Sequence, residues 1–494
     1  PQQLGLHPHG QVPDLVQEEG ASAGQFQLAG LAALSRPKIV PPLDPGFRPA
    51  VLAHRAFRAA VRATGKAVPV AIALERADGQ TSVFRTEIGP AEEGWAGLNL
   101  AYLERLTKFL LWQRGGWRLV VGGPAAIGNA LATIYSPGGE RSFDAAFMGR
   151  VYERPFVVET TDFDRMPAER EWASPLGGHL EGCRIGFDLG ASDRKVAAVI
   201  DGEVVFSEEV IWHPKLQADP RYHYHQIQAA LHHAASFLPR VDAIGGSSAG
   251  VYVNNRVMVA SLFRAVPEDL FAAEVKDLFV RLGDEWGVPL VVINDGEVTA
   301  LAGAMALNER NLLGIAMGSS EAAGYVTGEG KITTWLNELA FAPVDYNPAA
   351  PRDEWSGDRG CGVQYFSQEA VIRLAALVGL PLAEEATPAE KLKAVQERLA
   401  GGDERAEKIF ATIGCYLGYA VAHYADFYDL RHVLILGRVT SGEGGRIVQA
   451  EAARVLKEEF PELPITLHLP EEEAERRVGQ AIAAASLPEI GKKV

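Results

Sequence analysis

A chain of 494 residues is too long for one ordinary core, and about two to four packed units are expected. Its formal net charge of −16, with no run of Lys or Arg to form a basic module, sets it against phosphate backbones and argues against nucleic acid as a partner. Apolar residues at 47% and charged residues at 22% fit a globular protein. No apolar run reaches the ~18 residues of a membrane span.

Residues 1–24 are polar, without a signal-peptide core, and read as a flexible tail. Residues 52–64 have helical periodicity. The runs 68–74 and 81–88 around Asp78-Gly79 predict a β-hairpin, and 98–113 an amphipathic helix. WRLVVGG at 117–123 predicts a buried strand, followed by helical AAIGNALATIY. Residues 25–180 therefore read as an α/β domain of their own, of unknown role and without a chemical motif. Their order of elements faintly echoes that of the C-terminal part of the chain, as an internal duplication would. The polar, Pro- and Gly-containing stretch 160–180 reads as a boundary.

Beyond it, glycine-bounded strands recur: RIGFDLG, KVAAVIDG, VVF, VDAIGG, LVVIND, LLGIAMG and HVLILG. Helical stretches at 226–237, 269–286, 366–378 and 404–427 alternate with them, which predicts α/β layers. The charged run 384–409 reads as a solvated helix pair. The three cysteines, Cys183, Cys361 and Cys415, are far apart and form no CxxC pair. A reducing, cytoplasmic setting fits them better than a disulfide framework.

Four segments carry chemistry only weakly when taken singly. In IGFDLGASDRKVAAVIDG a strand ends at Asp188, Gly190 and Ser192 lie in a tight turn, and Lys195 opens the next strand. Such a turn can offer N–H groups to phosphate, and Asp188 can hold hydrated Mg²⁺; a plain polar hairpin is the alternative. In LVVINDGEVTALAGA a strand delivers Asn294 and Asp295 to a helix start. A carboxylate there can act as general base and Asn294 can bond a polyol, but both residue types are also favoured helix caps. In LLGIAMGSSEAAGYVTGEGKI the small residues Gly318, Ser319 and Gly324 would let phosphate approach the backbone. HVLILGRVTSGEGGRI reads as strand, turn at Gly437 and helix, the form of a nucleotide crevice.

In this order and spacing the four segments resemble the ROK family of repressors, open reading frames and sugar kinases, over about residues 182–494. The resemblance implies a two-lobed sugar-kinase/actin-like (ribonuclease H-like) α/β fold preceded by the extra α/β domain. The small lobe would span 182–293 plus 476–494 and the large lobe 294–475. The implied activity is phosphorylation of a hexose-type hydroxyl by ATP and Mg²⁺, with Asp295 as base. Asp188, Gly190, Ser192, Lys195, Gly318, Ser319, Gly324 and Gly437 would lie around the nucleotide, and Asp188 would hold the metal through water. Asn294 and Glu338, the latter in the family's sugar-gripping segment, would hold the sugar, with Asn254 and Asn255 as further candidates. The family resemblance also implies a homo-dimer or tetramer.

Departures from the family pattern favour a second reading, a non-catalytic sugar- or nucleotide-binding regulator that keeps the kinase fold. Phe341 stands at the family's zinc-binding histidine and only Cys361 of its cysteines remains, so no zinc is expected. Ser320 and Glu321 alter the second phosphate loop: Glu321 repels phosphate if it points into the site and is harmless if it points outward. Arg438 enters the adenosine turn, and no winged helix-turn-helix pattern precedes the lobes. His223, His225, His232 and His233 lack acidic or thiol partners at ligand spacing and read as packing and surface residues. Trp335 and Trp355 flank the sugar-side segment and read as sugar-pocket rings or core.

Overall fold

The computed structural model describes residues 29–33, 36–92, 94–172, 177–190, 193–470 and 473–491. The expected tail at 1–24 and Ser192 lie outside the described residues. Strands β1 (Val68–Glu75), β2 (Thr81–Ile88), β3 (Arg118–Gly122) and β4 (Val157–Thr161) form a sheet of order β2-β1-β3-β4. Helices α1 (Ala50–Ala63), α2 (Trp95–Arg114), α3 (Ala125–Ile134) and α4 (Ser142–Tyr152) accompany it. The predicted hairpin is β1–β2, paired antiparallel from Val68↔Ile88 to Glu75↔Thr81.

The second sheet has order β11-β8-β5-β6-β7. Its strands are β5 (Cys183–Leu189), β6 (Asp193–Ile200), β7 (Glu203–Ile211), β8 (Ala243–Ser248) and β11 (Leu290–Asn294), with a small β9 (Val251–Val253)–β10 (Arg256–Val259) hairpin beside it. Helices α5 (Pro220–Ala235) and α6 (Leu278–Trp286) belong to this small lobe. The helix expected over 269–286 is interrupted by a π-helical turn at Phe271–Val275.

The third sheet, of order β13-β12-β14-β15, holds β12 (Leu312–Met317), β13 (Glu321–Val326), β14 (His432–Leu436) and β15 (Thr466–His468). Helices α7 (Asp295–Leu307), α8 (Gln368–Leu377), α9 (Pro388–Ala400), α10 (Glu404–Tyr424), α11 (Gly442–Glu459) and α12 (Glu473–Ala485) complete the chain. The charged run 384–409 holds α9 and the first part of α10, with only Leu392, Val395, Ala406 and Ile409 buried, and beyond it α10 is buried from Thr412 to Tyr424. The C-terminal α12 returns to the small-lobe sheet. Gly186 of β5 and Gly245 of β8 lie directly beneath its backbone, and a Cβ at either would collide with the carbonyl of Ala481 or Ala484. Those two glycines let helix and sheet approach closely.

Two expectations about the N-terminal region need correction. The echo of later elements is one of order alone, because β3 runs antiparallel to β1 while β8 and β14 run parallel to β5 and β12. The region is also not packed by itself. Phe57, Leu106, Phe109 and Trp112 join Phe341, Tyr416 and Tyr424 in one hydrophobic core. Trp112 stacks on Phe341 at 4.3 Å, and Phe47 lies 4.7 Å from Tyr416. Helix α2 is buried on nearly every side rather than amphipathic, charged residues included. The small lobe keeps a separate core around Phe187, Trp212, Leu231 and Phe279.

Candidate functional site

Parallel pairing lines up the chemistry-bearing ends of three strands. Asp188 pairs with Ser247, and Ser248 with Asn294, so β5, β8 and β11 present their carboxyl ends side by side. Ser247 donates to Asp188 Oδ1 at 2.7 Å, and Lys195 Nζ lies 3.3 Å from Asp188 Oδ2 and 3.1 Å from Asp193 Oδ1. Burial works against the Lys195 ammonium, but Asp188 and Asp193 outweigh it and raise its pKa.

At the start of α7 the two readings of Asn294-Asp295 separate. Asn294 is the cap: its Oδ1 accepts from Gly296 N at 2.7 Å, and its Nδ2 donates to Gly250 O at 2.7 Å. Its amide is thus committed to the protein, which corrects the expectation of a free polyol ligand. Asp295 is relieved of capping and keeps only a 3.1 Å contact from Gly296 N. Burial and the nearby Asp188 push its carboxyl up to about 6. Glu338, half-buried, is pushed up to about 7 by burial and by Asp295. Buried Glu297, one half-turn along α7, is pushed up to about 8 by burial, with a smaller contribution from Glu338.

A cavity of about 200 Å³ opens beside the start of α7; Asp188, Lys195 and Asp295 are not among its lining residues. Asn294, Glu297, Glu338 and Trp335 line it, together with Arg76, Gln80 and Tyr152 from the N-terminal region. Asn254 and Asn255 also reach its wall, on left-handed turn conformations between β9 and β10. Their amides, however, bond the protein. Asn254 donates to Asp78 Oδ2 at 3.1 Å; Asn255 donates to Leu290 O and accepts from Val292 N.

The glycine positions divide. Gly190 N donates to Asp193 O and its carbonyl accepts from Trp212 Nε1, so its N–H is spent inside the hairpin rather than offered to phosphate. Gly318 and Ser319 lie at the end of β12, with Gly318 N closing on Ser320 O. Gly437, at φ +104, follows β14 and presses on the backbone of Met317. Gly324 stands inside β13 against the start of α7, where any Cβ would meet the Gly296–Glu297 backbone. It serves strand–helix packing and is not an opening for phosphate. Glu321 takes neither of its two expected directions. It is buried under β13 with both carboxylate oxygens unbonded, a Cβ on Gly362 would strike it, and burial pushes it up to about 8.

Around Cys361 the residues do not fit zinc. Phe341 is stacked on Trp112, and the thiol lies 3.9 Å from Asp358, which pairs with Arg105, Lys108 and Arg141. One thiol among three cations is not a zinc donor set. Burial drives the Cys361 thiol far upward, away from thiolate reactivity. Among the described residues no group of three or more His, Cys, Asp or Glu side chains is arranged to hold a metal ion. His223 is a buried packing residue whose Nε2 bonds Pro214 O and Leu262 O. No described helix is long and apolar enough to cross a membrane.

The sequence pattern does not reveal Arg76, Gln80, Tyr152 and Glu297 as site residues. Glu297 was within reach, two residues past Asp295 on the same helix; the other three sit in a region with no motif.

No protein-family model matches the chain, and no curated protein does. Solved structures do. A ROK family transcriptional regulator, a homologue of the E. coli MLC protein, is 19% identical with a TM-score of 0.50, covering 73% of this chain and 87% of its own. A ROK hexokinase from Thermus thermophilus is 18% identical at TM-score 0.48, covering 61% and 97%. A ROK family glucokinase from Streptomyces griseus, solved with glucose and AMPPNP, is 20% identical at 0.44, covering 61% and 99%. The chain has the α/β fold of that ROK family regulator.

Proposed function

We propose that the protein is a ROK-type sugar kinase, transferring the γ-phosphoryl group of ATP to a hydroxyl of a monosaccharide. The observation that carries this reading is Asp295: a carboxylate at a helix start, freed from capping by Asn294, with its pKa raised to about 6, in the chain between Asn294 and Glu297, which both line the cavity. A base of that pKa is ionised at neutral pH and still basic enough to take a proton. The cavity of about 200 Å³ suits a monosaccharide, being smaller than the roughly 300–1,000 Å³ of drug-sized pockets.

The donor set of Asp188, Lys195 and the turns after β12 and β14 fits a nucleotide with hydrated Mg²⁺. When bound, ATP–Mg²⁺ supplies the phosphoryl group and spreads its charge. Asp295 accepts the hydroxyl proton as the new O–P bond forms and the bond to the bridging oxygen of ADP breaks. Glu338 holds sugar hydroxyls, and Lys195 holds negative charge in the cleft. Assembly as a homo-dimer or tetramer belongs to the same reading.

Sugar-dependent ADP release tests it. Wild type should turn over, Asp295→Asn should lose at least about 10²-fold in kcat, and wild-type kcat should fall tenfold per pH unit below about 6. Absence of turnover with every sugar, together with ligand binding, would instead support the non-catalytic regulator, for which the buried Glu321 in the altered phosphate loop is the favouring observation.

A further inference from the structure

The cavity lined by Asn294, Glu297 and Glu338 has a wall that the two lobes do not supply. Arg76, Gln80 and Tyr152 come from the β1–β2 turn and the end of α4. Arg76 is only 2% exposed. Its guanidinium reaches Ser82 Oγ at 2.5 Å and Gln80 Oε1 at 3.4 Å, and its Nε has no hydrogen-bond partner. Its nearest carboxylate, Glu171, stands at 3.9 Å and is shared: Arg114 holds it at 3.0 Å, Trp335 Nε1 donates to it at 3.0 Å, and Ser82 bonds it as well.

Arg114, partly buried, also donates to Gln113 Oε1 and Phe427 O, so the guanidinium short of acceptors is that of Arg76, and charge this deep calls for a further one. Burial lowers the pKa of both Arg76 and Arg114, so Glu171 does not compensate them fully. Asp78 on the same turn is exposed and already accepts from Asn254. On the opposite side of the balance stand Glu297 and Glu338, whose raised pKa values leave them largely or partly protonated near neutral pH, as donors to sugar oxygens.

We propose that the N-terminal region forms a third wall of the ligand site, and that Arg76 selects a monosaccharide bearing an acceptor substituent, a carboxylate or an acyl carbonyl, over the plain hexose. This rests on the cavity being the sugar site of the proposed kinase. It goes further in assigning selectivity to residues outside both lobes.

Calorimetric titration of the full chain, without nucleotide, with glucose, glucuronate and N-acetylglucosamine tests it. At least one of the two substituted sugars should bind tenfold or more tightly than glucose. Glucuronate alone marks the carboxylate as the selected group, and N-acetylglucosamine alone marks the acyl carbonyl. Arg76→Gln and Arg76→Ala should each remove that preference, the affinity for the substituted sugar falling to that for glucose, with melting curves confirming the fold. Equal binding of all three sugars by wild type, binding of none, or a preference that survives in a folded Arg76 variant overturns the proposal. The wild-type comparison decides the matter even if both variants unfold. Because the assay needs no turnover, a selective protein that releases no ADP sinks only the kinase reading. A kinase indifferent to these substituents sinks only the role of Arg76.

Discussion

The N-terminal region and the small lobe flank the same cavity, yet they are attached to the large lobe by opposite means. The N-terminal region shares its core. The α2 carbonyls of Trp112, Gln113 and Arg114 accept from the backbone N–H groups of Glu338, Asn337 and Leu336, so this helix end fixes the segment that presents Glu338. Between α2 and residue 358 lies a buried network in which Lys108 pairs with Asp144 at 2.8 Å and Asp358 at 3.2 Å, while Arg105 and Arg141 hold Asp358 and Glu104. Among the described residues, the small lobe meets the N-terminal region through its β9–β10 hairpin, by polar contacts of Asn254 with Asp78 and of Arg256 and Lys276 with Glu153, and by Val251, Met258 and Val259, which join the shared core. The difference teaches which body moves. The small-lobe sheet, with its own core, can hinge, whereas the shared core, with the apolar side of the β9–β10 hairpin in it, travels with the large lobe.

The largest test of that contrast is Lys108→Ala. It strands Asp144 and Asp358 without their ammonium in a dry interior, a loss of about 3–5 kcal/mol. The urea midpoint should fall accordingly, and the β1–β4 sheet and the large lobe should unfold together. Two separated transitions would break the claim of one core. By the same logic, a chain beginning at residue 182 should not yield a folded large lobe.

Glu321→Gln sharpens the comparison from inside the large lobe. The folded-state pKa of Glu321 is raised from 4.5 to about 8 by burial. The native state therefore keeps a proton that the unfolded chain releases, and stability is lost as pH rises from about 4.5 through 8. Glutamine does not titrate. The variant should match wild type at pH 4 and exceed it by roughly 2–4 kcal/mol at pH 9, as read from denaturant midpoints. An advantage that does not change with pH would mean the carboxyl is not held protonated in the fold.

The sequence was informative where function follows strand ends and silent where it follows tertiary packing. Asp188, Asn294 and Asp295 stand out because a buried strand running into a polar residue and a helix leaves a local pattern, and the parallel register then aligns them. The cap assignment also follows local rules, although only the structure decides which of Asn294 and Asp295 takes it. The reading of α2 as amphipathic failed because Glu104, Arg105 and Lys108 look like a solvated face. Their partners at 141, 144 and 358 are distant in sequence, so nothing local marks them as buried. Arg76 was illegible for the same reason: its importance comes from a wall completed by residues far along the chain, Asn294 and Glu338 among them. Gly324 was misplaced because a glycine that admits phosphate and one that admits a helix backbone look alike in sequence.

The smallest expected effect tests the rim. Glu153→Ala removes the carboxylate shared by Arg256 and Lys276, groups that are between a fifth and two-fifths exposed, and leaves Arg256 its pair with Asp277. Pairs this exposed are worth about 0–1 kcal/mol each, so global stability should fall by less than about 2 kcal/mol and the deficit should shrink in salt. The informative readout is local. Amide exchange at the β9–β10 turn, residues 253–256, should quicken while α2 stays protected, because the turn loses a tether while Val251, Met258 and Val259 stay packed in the shared core. If α2 loosened as well, the rim would be coupled to the shared core through Val251, Met258 and Val259. The hinge would then have to be sought at α7 and α12, where Gln480 Nε2 donates to Thr299 Oγ1 at 2.7 Å across the base of the two lobes.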